Sequence, residues 1–121
     1  MKHFLIVDDS TVIRKVAKKI LENLNFETTE AKNGQAAFDI CSEQMPDGII
    51  LDWNMPVLDG ISFLRQLRNL PNGDKPVVIF CTTENDIHRI SEALKAGANE
   101  YIMKPFDTDI FHDKLKQVGI V

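Results

Sequence analysis

Short apolar runs alternate with helix-like segments along this chain, and the alternation constrains the fold more than any other feature of the sequence. Most of the runs are rich in Ile, Val, Leu and Phe, which is typical of strands buried in a parallel sheet. The predicted strands are His3–Val7, Phe26–Ala31, Ile49–Leu51, Val77–Cys81 and Tyr101–Met103. The second is the most polar, so we expect it at a sheet edge, and the fourth is the most β-branched, so we expect it near the centre.

A helix-like pattern follows each predicted strand. Ser10 can cap the first helix, whose apolar residues recur at helical spacing. These residues are Val12, Ile13, Val16, Ala17, Ile20, Leu21 and Leu24. The fourth helix is predicted to start at about Asn85 and to end before Gly97, which suits the left-handed position after a helix, and Asp107 opens the last helix. Alternating strands and helices with short turns predict a parallel sheet with helices on both faces, in one domain over residues 1–121.

Charged residues stand where three of the apolar runs stop. Asp8 and Asp9 follow the first run, Asp52 follows the third, and Lys104 follows the fifth. Because the carboxyl ends of parallel strands line one crevice, we expect these side chains to converge there. Carboxylates that lie so close repel one another and raise each other's pKa unless a cation lies among them. Ligands that are all oxygen favour Mg²⁺, so the pattern predicts a magnesium site.

Composition narrows the classes of protein that the chain can be. A hydrophobic fraction of 44% in 121 residues fits a globular domain, and a net charge of −4 argues against direct binding of nucleic acid. No apolar stretch approaches the roughly 20 residues of a membrane span, so we expect no membrane insertion. Residues 1–3 run straight into a strand, which predicts no signal peptide and a cytoplasmic location. Cys41 and Cys81 lack motif spacing, so we expect reduced, buried thiols.

Five motifs carry a resemblance to a known family. They are Val7-Asp8-Asp9-Ser10, Leu51-Asp52-Trp53-Asn54-Met55-Pro56, Asp59-Gly60, Thr82-Thr83-Glu84 and Lys104-Pro105-Phe106. In this order and spacing they resemble the receiver domain of two-component response regulators, and most of all the stand-alone chemotaxis-type (CheY-like) regulators. The resemblance covers essentially the whole chain. It implies an α/β, flavodoxin-like doubly wound (βα)5 fold, a five-stranded parallel sheet flanked by five helices.

The resemblance implies a specific role for each residue of the site. Asp52 would be the phosphoacceptor, taking a phosphoryl group from a histidine kinase or a histidine phosphotransfer protein. Asp9, Asp52 and the backbone carbonyl of Asn54 would ligate Mg²⁺, with Asp8 acting mostly through water. Lys104 would pair with Asp52 at rest and with the phosphoryl oxygens afterwards. Such a protein catalyses its own phosphorylation and dephosphorylation but is not an enzyme for outside substrates.

The resemblance also implies how a signal leaves the site. The hydroxyl of Thr82 would bond the phosphoryl group, Tyr101 would move inward behind it, and the Lys104–Pro105 peptide bond would be cis. We expect the changed face, made of the fourth helix, fifth strand and fifth helix, to bind a downstream protein target, with Tyr101 and Lys114 as contacts. The implied output is chemotaxis or motility, and a monomer is expected.

Plainer interpretations and other functions stay open at this point. Asp8 and Asp9 could be a turn or a helix cap, Lys104 a surface lysine and Tyr101 a core residue, while Trp53 is expected to be partly exposed beside the site. The domain could pass its phosphoryl group to a histidine phosphotransfer protein instead of binding a target. A Mg²⁺-dependent phosphohydrolase with an Asp nucleophile is disfavoured, because the chain offers neither a cap domain nor a general acid beside Asp52. A flavin carrier is disfavoured because two acidic residues would repel a phosphate at the first loop.

Overall fold

The computed structural model describes residues 2–82, 87–104 and 106–120, and for Thr82 the backbone alone. Five strands and five helices alternate in this part of the chain. The strands are β1 (His3–Val7), β2 (Glu27–Ala31), β3 (Gly48–Leu51), β4 (Val77–Thr82) and β5 (Glu100–Met103). The helices are α1 (Thr11–Asn23), α2 (Gly34–Glu43), α3 (Gly60–Arg68), α4 (Ile87–Ala96) and α5 (Thr108–Gln117).

All neighbouring strands are parallel, in the order β2-β1-β3-β4-β5. The predicted doubly wound α/β fold is therefore confirmed, with the polar β2 at an edge and β4 inside the sheet. Val7 pairs with Leu51, and Leu51 pairs with Phe80. Because Val7 and Leu51 are the last residues of β1 and β3, the residues that follow these two strands emerge side by side.

Alternate residues of the strands build two apolar layers, one on each face of the sheet. Leu5 and Val7 of β1 pack in a layer with α2, α3 and α4, and this layer also contains Trp53 and Phe80. Phe4 and Ile6 pack in the opposite layer with α1 and α5. The strands are thus covered by apolar residues on both faces. Polar side chains can be placed at the ends of the strands, which these layers do not cover.

The predicted cap at Ser10 and the predicted helix start at Asp107 agree with the structure, which also shows a cap at Asn33. Ser10, Asn33 and Asp107 each accept a hydrogen bond from a backbone N–H three residues further on, which satisfies a donor in the first turn of α1, α2 and α5. Gly97 has a φ of +112° directly after α4, the left-handed conformation expected at that position. The predicted start of α4 at Asn85 lies outside the described residues.

The apolar stripe of α1 is wider than its buried face. Ala17, Ile20 and Leu21 are buried, whereas Val12 and Val16 are 68% and 42% exposed. Helical spacing had assigned all five to the same face. The first turns of α1 lie beside the carboxyl edge of the sheet, where the strands end, so the sheet offers no surface there to cover Val12 and Val16.

Candidate functional site

Three carboxylates converge at the carboxyl edge of the sheet. Asp8 follows β1 and Asp52 follows β3, and each offers an oxygen that lies within 4.8 Å of the others and of one from Asp9. Asp8 and Asp52 are buried, with 2% and 7% of their surface exposed, whereas Asp9 is exposed. The sequence-based expectation that these side chains would meet agrees with this geometry, and the exposed Asp9 leaves the cluster open to water.

Lys104, which follows β5, reaches into the same cluster. Its Nζ lies 2.7 Å from Asp8 Oδ2 and 3.3 Å from Asp52 Oδ1, so the ammonium bridges two carboxylates. Burial by itself lowers the pKa of Lys104, but the hydrogen bond to Asp8 and the charges of Asp52 and Asp8 outweigh it and raise the pKa. The resemblance had implied Asp52 as the resting partner of Lys104; the shorter contact in the structure is with Asp8.

The surroundings of Asp52 keep its carboxyl partly protonated. Burial, followed by repulsion from Asp8, raises the pKa of Asp52 to about 6, against the lowering effect of Lys104 and of a hydrogen bond from the Trp53 backbone N–H. A carboxyl with this pKa is about nine tenths ionised at pH 7. Burial is thus the largest cause of the raised pKa, and the negative charge of Asp8 beside Asp52 adds to it.

The loop after β3 folds back onto Asp52. The backbone N–H of Gly60 donates to the carbonyl of Trp53 at 2.8 Å, and a Cβ at Gly60 would overlap the carbonyl oxygen of Asp52. Asp59 caps α3 by accepting from the N–H of Ser62 at 2.9 Å. The expected turn at Asp59-Gly60 thus follows from close backbone approach at Gly60 and from a helix cap at Asp59.

Trp53 is buried, with 7% of its surface exposed, so the expectation that it would be partly exposed is wrong. Its ring packs on Phe80 at a centroid distance of 5.2 Å. The guanidinium carbon of Arg89, a residue of α4, lies 5.1 Å from the centroid of the Trp53 ring. This contact of Arg89 with the Trp53 ring could not be predicted from the sequence, because Arg89 belongs to another element and is 36 residues away along the chain.

Two further features of the site were missed by sequence reasoning. Arg14 donates to the backbone carbonyl of Asp8 at 2.7 Å and pairs with Glu30 of β2 at 3.0 Å, so it fixes the loop that carries Asp8 and Asp9. Val57 has a φ of +71°, at the centre of a γ-turn in which the N–H of Leu58 donates to the carbonyl of Pro56. A β-branched residue seldom adopts this conformation, so this loop stores strain beside the site.

The residues expected to transmit a signal are only partly described. Tyr101 of β5 pairs with Phe80 and is half-buried against the core layer that contains Trp53. Thr82 ends β4, but its hydroxyl, Thr83–Asp86 and Pro105 lie outside the described residues, so the roles of Thr82 and of a cis Lys104–Pro105 bond stay predictions. Lys114 on α5 lies 3.5 Å from Glu100 of β5, which ties α5 to the edge of the expected partner face.

The cysteines behave as structural thiols. Cys41 and Cys81 are free and buried, as predicted, and burial raises the pKa of Cys41 to about 11 and that of Cys81 to about 12. Thiols with such pKa values carry little of the nucleophilic thiolate at neutral pH. Within the described ranges, every helix is too short or too polar to cross a membrane.

Comparison with known proteins identifies the family. A family model described as the response regulator receiver domain matches residues 4–116. The chain belongs to this family of receiver domains.

Relatives and solved structures are similar along nearly the whole chain. A chemotaxis protein CheY homolog of Campylobacter jejuni is 34% identical over 116 residues, covering 94% of this chain and 89% of the relative. The structure of chemotaxis response regulator CheY4 of Vibrio cholerae superposes with a TM-score of 0.92 at 30% identity and covers 98% of both chains. A receiver domain of a sensor histidine kinase from Pseudomonas aeruginosa, described with a magnesium ion coordinated in its active site cleft, has a TM-score of 0.88 at 30% identity and covers 98% of both chains.

Proposed function

We propose that this protein is a single-domain response regulator whose Asp52 accepts a phosphoryl group from a histidine kinase in a Mg²⁺-dependent reaction. The observation that carries the proposal is the convergence of Asp8, Asp9 and Asp52, with oxygens within 4.8 Å of one another, on the ammonium of Lys104. A nucleophilic carboxylate, oxygen donors for a metal and a cation for the incoming phosphoryl oxygens are the parts that such a reaction requires.

The donor set fits Mg²⁺. Asp8, Asp9 and Asp52 supply carboxylate oxygens, and the backbone carbonyl of Asn54 is the fourth protein donor in the proposal. Mg²⁺ keeps several waters and takes few protein ligands, which suits a cluster with one exposed carboxylate. The raised pKa of Asp52, caused by burial and then by repulsion from Asp8, supports the fit, because a divalent cation would stabilise the ionised carboxylate. When bound, the ion would neutralise charge on the transferred phosphoryl group.

The protein's own side chains perform the transfer by position and charge. An ionised oxygen of Asp52 attacks the phosphorus of a phosphohistidine, the new O–P bond forms, and the N–P bond breaks with its electron pair left on the imidazole. The Trp53 N–H, 2.9 Å from Asp52 Oδ1, orients the carboxylate. Lys104, already 3.3 Å from Asp52, is within reach of the phosphoryl oxygens once they arrive.

The proposed output is a change of the face formed by α4, β5 and α5. The phosphoryl oxygens would draw in the Thr82 hydroxyl, Tyr101 would bury its ring in the space that this leaves, and a downstream protein target would bind the altered face, with Lys114 at its edge. The names of the curated relatives, which are chemotaxis proteins, support a motility output. The domain turns over no outside substrate in this proposal, and it works in the cytoplasm as a monomer.

A relay role is the second candidate. Receiver domains of histidine kinases, from Syntrophus aciditrophicus and Pseudomonas aeruginosa, are also similar in fold, with TM-scores of 0.87 and 0.88 against 0.92 for CheY4. In this version of the proposal Asp52 passes its phosphoryl group to a histidine phosphotransfer protein. The chemistry at Asp52 is the same in both versions, and only the acceptor differs.

The test uses acetyl phosphate, a small phosphodonor, with Mg²⁺. We expect one phosphoryl group per chain in the wild type and none in Asp52→Asn, read by intact mass. In parallel, p-nitrophenyl phosphate should give no catalytic turnover. Steady turnover of that ester would instead support the phosphohydrolase alternative, and stoichiometric labelling of Asp52→Asn would reject Asp52 as the acceptor. Purified histidine phosphotransfer proteins, added after labelling, distinguish the relay from the target-binding version.

A further inference from the structure

Trp53 links the proposed phosphoacceptor to its surroundings through both its backbone and its ring. Its N–H donates to Asp52 Oδ1 at 2.9 Å, and its carbonyl accepts from Gly60 at 2.8 Å. Its ring packs on Phe80 of β4 at 5.2 Å. The position of the indole is therefore determined by the same loop that holds the Asp52 carboxylate.

The indole is also covered by a residue of α4. The guanidinium carbon of Arg89 lies 5.1 Å from the ring centroid, within the range of a cation–π contact. Arg89 is the third residue of α4, so the contact is made by the first turn of the helix. The positive end of the helix dipole lies there, and it disfavours a cation. Contact with the face of the indole offsets that unfavourable placement.

We infer that Arg89 is a positioning residue that holds the first turn of α4 against Trp53, so that the start of this helix follows the state of Asp52. The anchoring of α4 on Trp53 is independent of the proposed function. Only the second part of the inference, that the start of α4 follows the state of Asp52, rests on that function. A phosphoryl group on Asp52 adds negative charge beside Trp53, and this charge strengthens the attraction on the guanidinium. The contact thus gives α4 a connection to the site that is separate from the Thr82 hydroxyl and Tyr101.

The Arg89–Trp53 contact can control where the start of α4 lies, because the other end of the helix is fixed. The far end of the helix is tied down, since Arg68 of α3 donates two hydrogen bonds to the carbonyl of Gly97, at 3.2 Å and 2.6 Å. A helix that is fixed at its C-terminal end can pivot about that end when a contact near its start is made or loosened. Making or loosening the Arg89–Trp53 contact then moves the start of α4, which belongs to the proposed partner face.

The chain offers a direct probe and a matched control. Trp53 is the only tryptophan of the sequence, so tryptophan fluorescence reports this ring alone. Arg65 also joins α4 to a neighbouring element, through an exposed ion pair of 2.7 Å with Glu92. Arg65→Ala removes the same charge and one tie to α4 without touching the indole. Arg89→Lys keeps a cation over the ring but loses the planar group.

The first arm is metal-free and independent of phosphorylation. In EDTA, Arg89→Ala should increase acrylamide quenching of Trp53 about twofold, because it uncovers one face of the ring. It should also speed amide hydrogen exchange in residues 87–90 by about threefold or more, because the first turn loses an anchor. Arg89→Lys should restore part of both effects, and Arg65→Ala should match the wild type. Quenching and exchange in Arg89→Ala that equal the wild-type values would overturn the anchoring role.

The second arm adds Mg²⁺ and beryllofluoride, an analogue of the phosphoryl group. Addition of the analogue should change amide hydrogen exchange in residues 87–90 of the wild type and of Arg65→Ala. Arg89→Ala should also bind the analogue, but the exchange rates of these amides should stay the same with and without it. An equal change in Arg89→Ala would overturn the transmission role. A wild-type protein that ignores both Mg²⁺ and beryllofluoride would instead count against the proposed phosphoacceptor site, and the metal-free arm would still decide the anchoring role.

Discussion

Two cationic side chains lie at opposite edges of the sheet and are surrounded in opposite ways. Lys104, at the carboxyl edge, faces two buried carboxylates and leaves an excess of negative charge. Arg68, at the edge where β4 and β5 begin, donates to the carbonyls of Gly73, Pro76 and Gly97 and to the side chain of Asn99. The carboxylates around Lys104 carry more negative charge than this one ammonium neutralises, and their cluster is open to a ligand. The guanidinium of Arg68 is matched by acceptors, and its cluster is closed.

The difference separates residues that matter for activity from residues that matter for the stability of the fold. Burial lowers the pKa of Arg68, with the charge of Asp74 opposing that shift, yet an arginine stays charged and has its donors matched by acceptors. At the other edge, burial and then Asp8 raise the pKa of Asp52 to about 6, so the fold disfavours the ionised form of this carboxyl. We therefore expect changes at Arg68 to cost stability and changes at Asp52 to cost activity.

The largest expected effect on stability is at Arg68. Arg68→Met should lower the free energy of unfolding by about 3–4 kcal/mol, because the partly buried carbonyls of Gly73, Pro76 and Gly97 lose their donor at once. Urea denaturation measures the loss. Arg65→Met is the matched control, and its exposed ion pair with Glu92 should cost less than about 1 kcal/mol. A small effect at Arg68 would remove the contrast between the two edges.

A change of opposite sign is expected at Asp52. In EDTA near neutral pH, Asp52→Asn should raise the free energy of unfolding by about 2–3 kcal/mol, the equivalent of its pKa shift. The folded-state pKa is raised from 3.8 to about 6, so the ionised form is disfavoured by folding. The gain should be absent below pH 3.8, grow as the pH rises to about 6, and stay constant above that. Denaturation curves across this range check the sign, and a gain that grew toward low pH would contradict it.

A smaller effect is expected for the metal. Mg²⁺ should change the fluorescence of Trp53, which adjoins Asp52, and Asp9→Asn should weaken the midpoint of that titration by about tenfold or more, because one carboxylate ligand is lost. Asp47→Asn, at the opposite edge beside His3, is the control and should titrate like the wild type. An unchanged midpoint in Asp9→Asn would exclude Asp9 as a ligand.

The smallest expected effect concerns transmission through Thr82. Tyr101 is the only tyrosine of the sequence, so its ring signals in NMR spectra can be followed without ambiguity. Beryllofluoride with Mg²⁺ should shift these signals in the wild type and in Thr82→Ser, which keeps the hydroxyl, but by about half or less in Thr82→Ala. Equal shifts in Thr82→Ala would mean that another group moves Tyr101.

Local sequence signals predicted most of the fold and the composition of the site. β1 has the predicted bounds, and Ser10 and Asp107 start helices as predicted, because capping depends on residues three positions apart. The meeting of Asp8 and Asp52 was predictable because parallel strands bring their carboxyl ends together.

Contacts between distant elements were not predictable in the same way. Arg68 of α3 meets Gly97 after α4, and Arg89 of α4 meets Trp53 in the loop after β3. A single sequence has no local pattern that specifies such pairs. The exposure of Val12 similarly depends on where the sheet ends, which helical periodicity does not encode. The sequence therefore predicted the chemical groups of the site better than their cover and anchoring.

The most direct test of the central claim is to locate the phosphoryl group. The wild-type protein is phosphorylated with acetyl phosphate and Mg²⁺ and then reduced with borohydride, which converts an aspartyl phosphate to homoserine, and peptides are sequenced by mass spectrometry. We predict homoserine at position 52 alone, with Asp8, Asp9 and Asp59 unchanged. Homoserine at any of those three positions, or a labelled protein with Asp52 intact, would contradict the account.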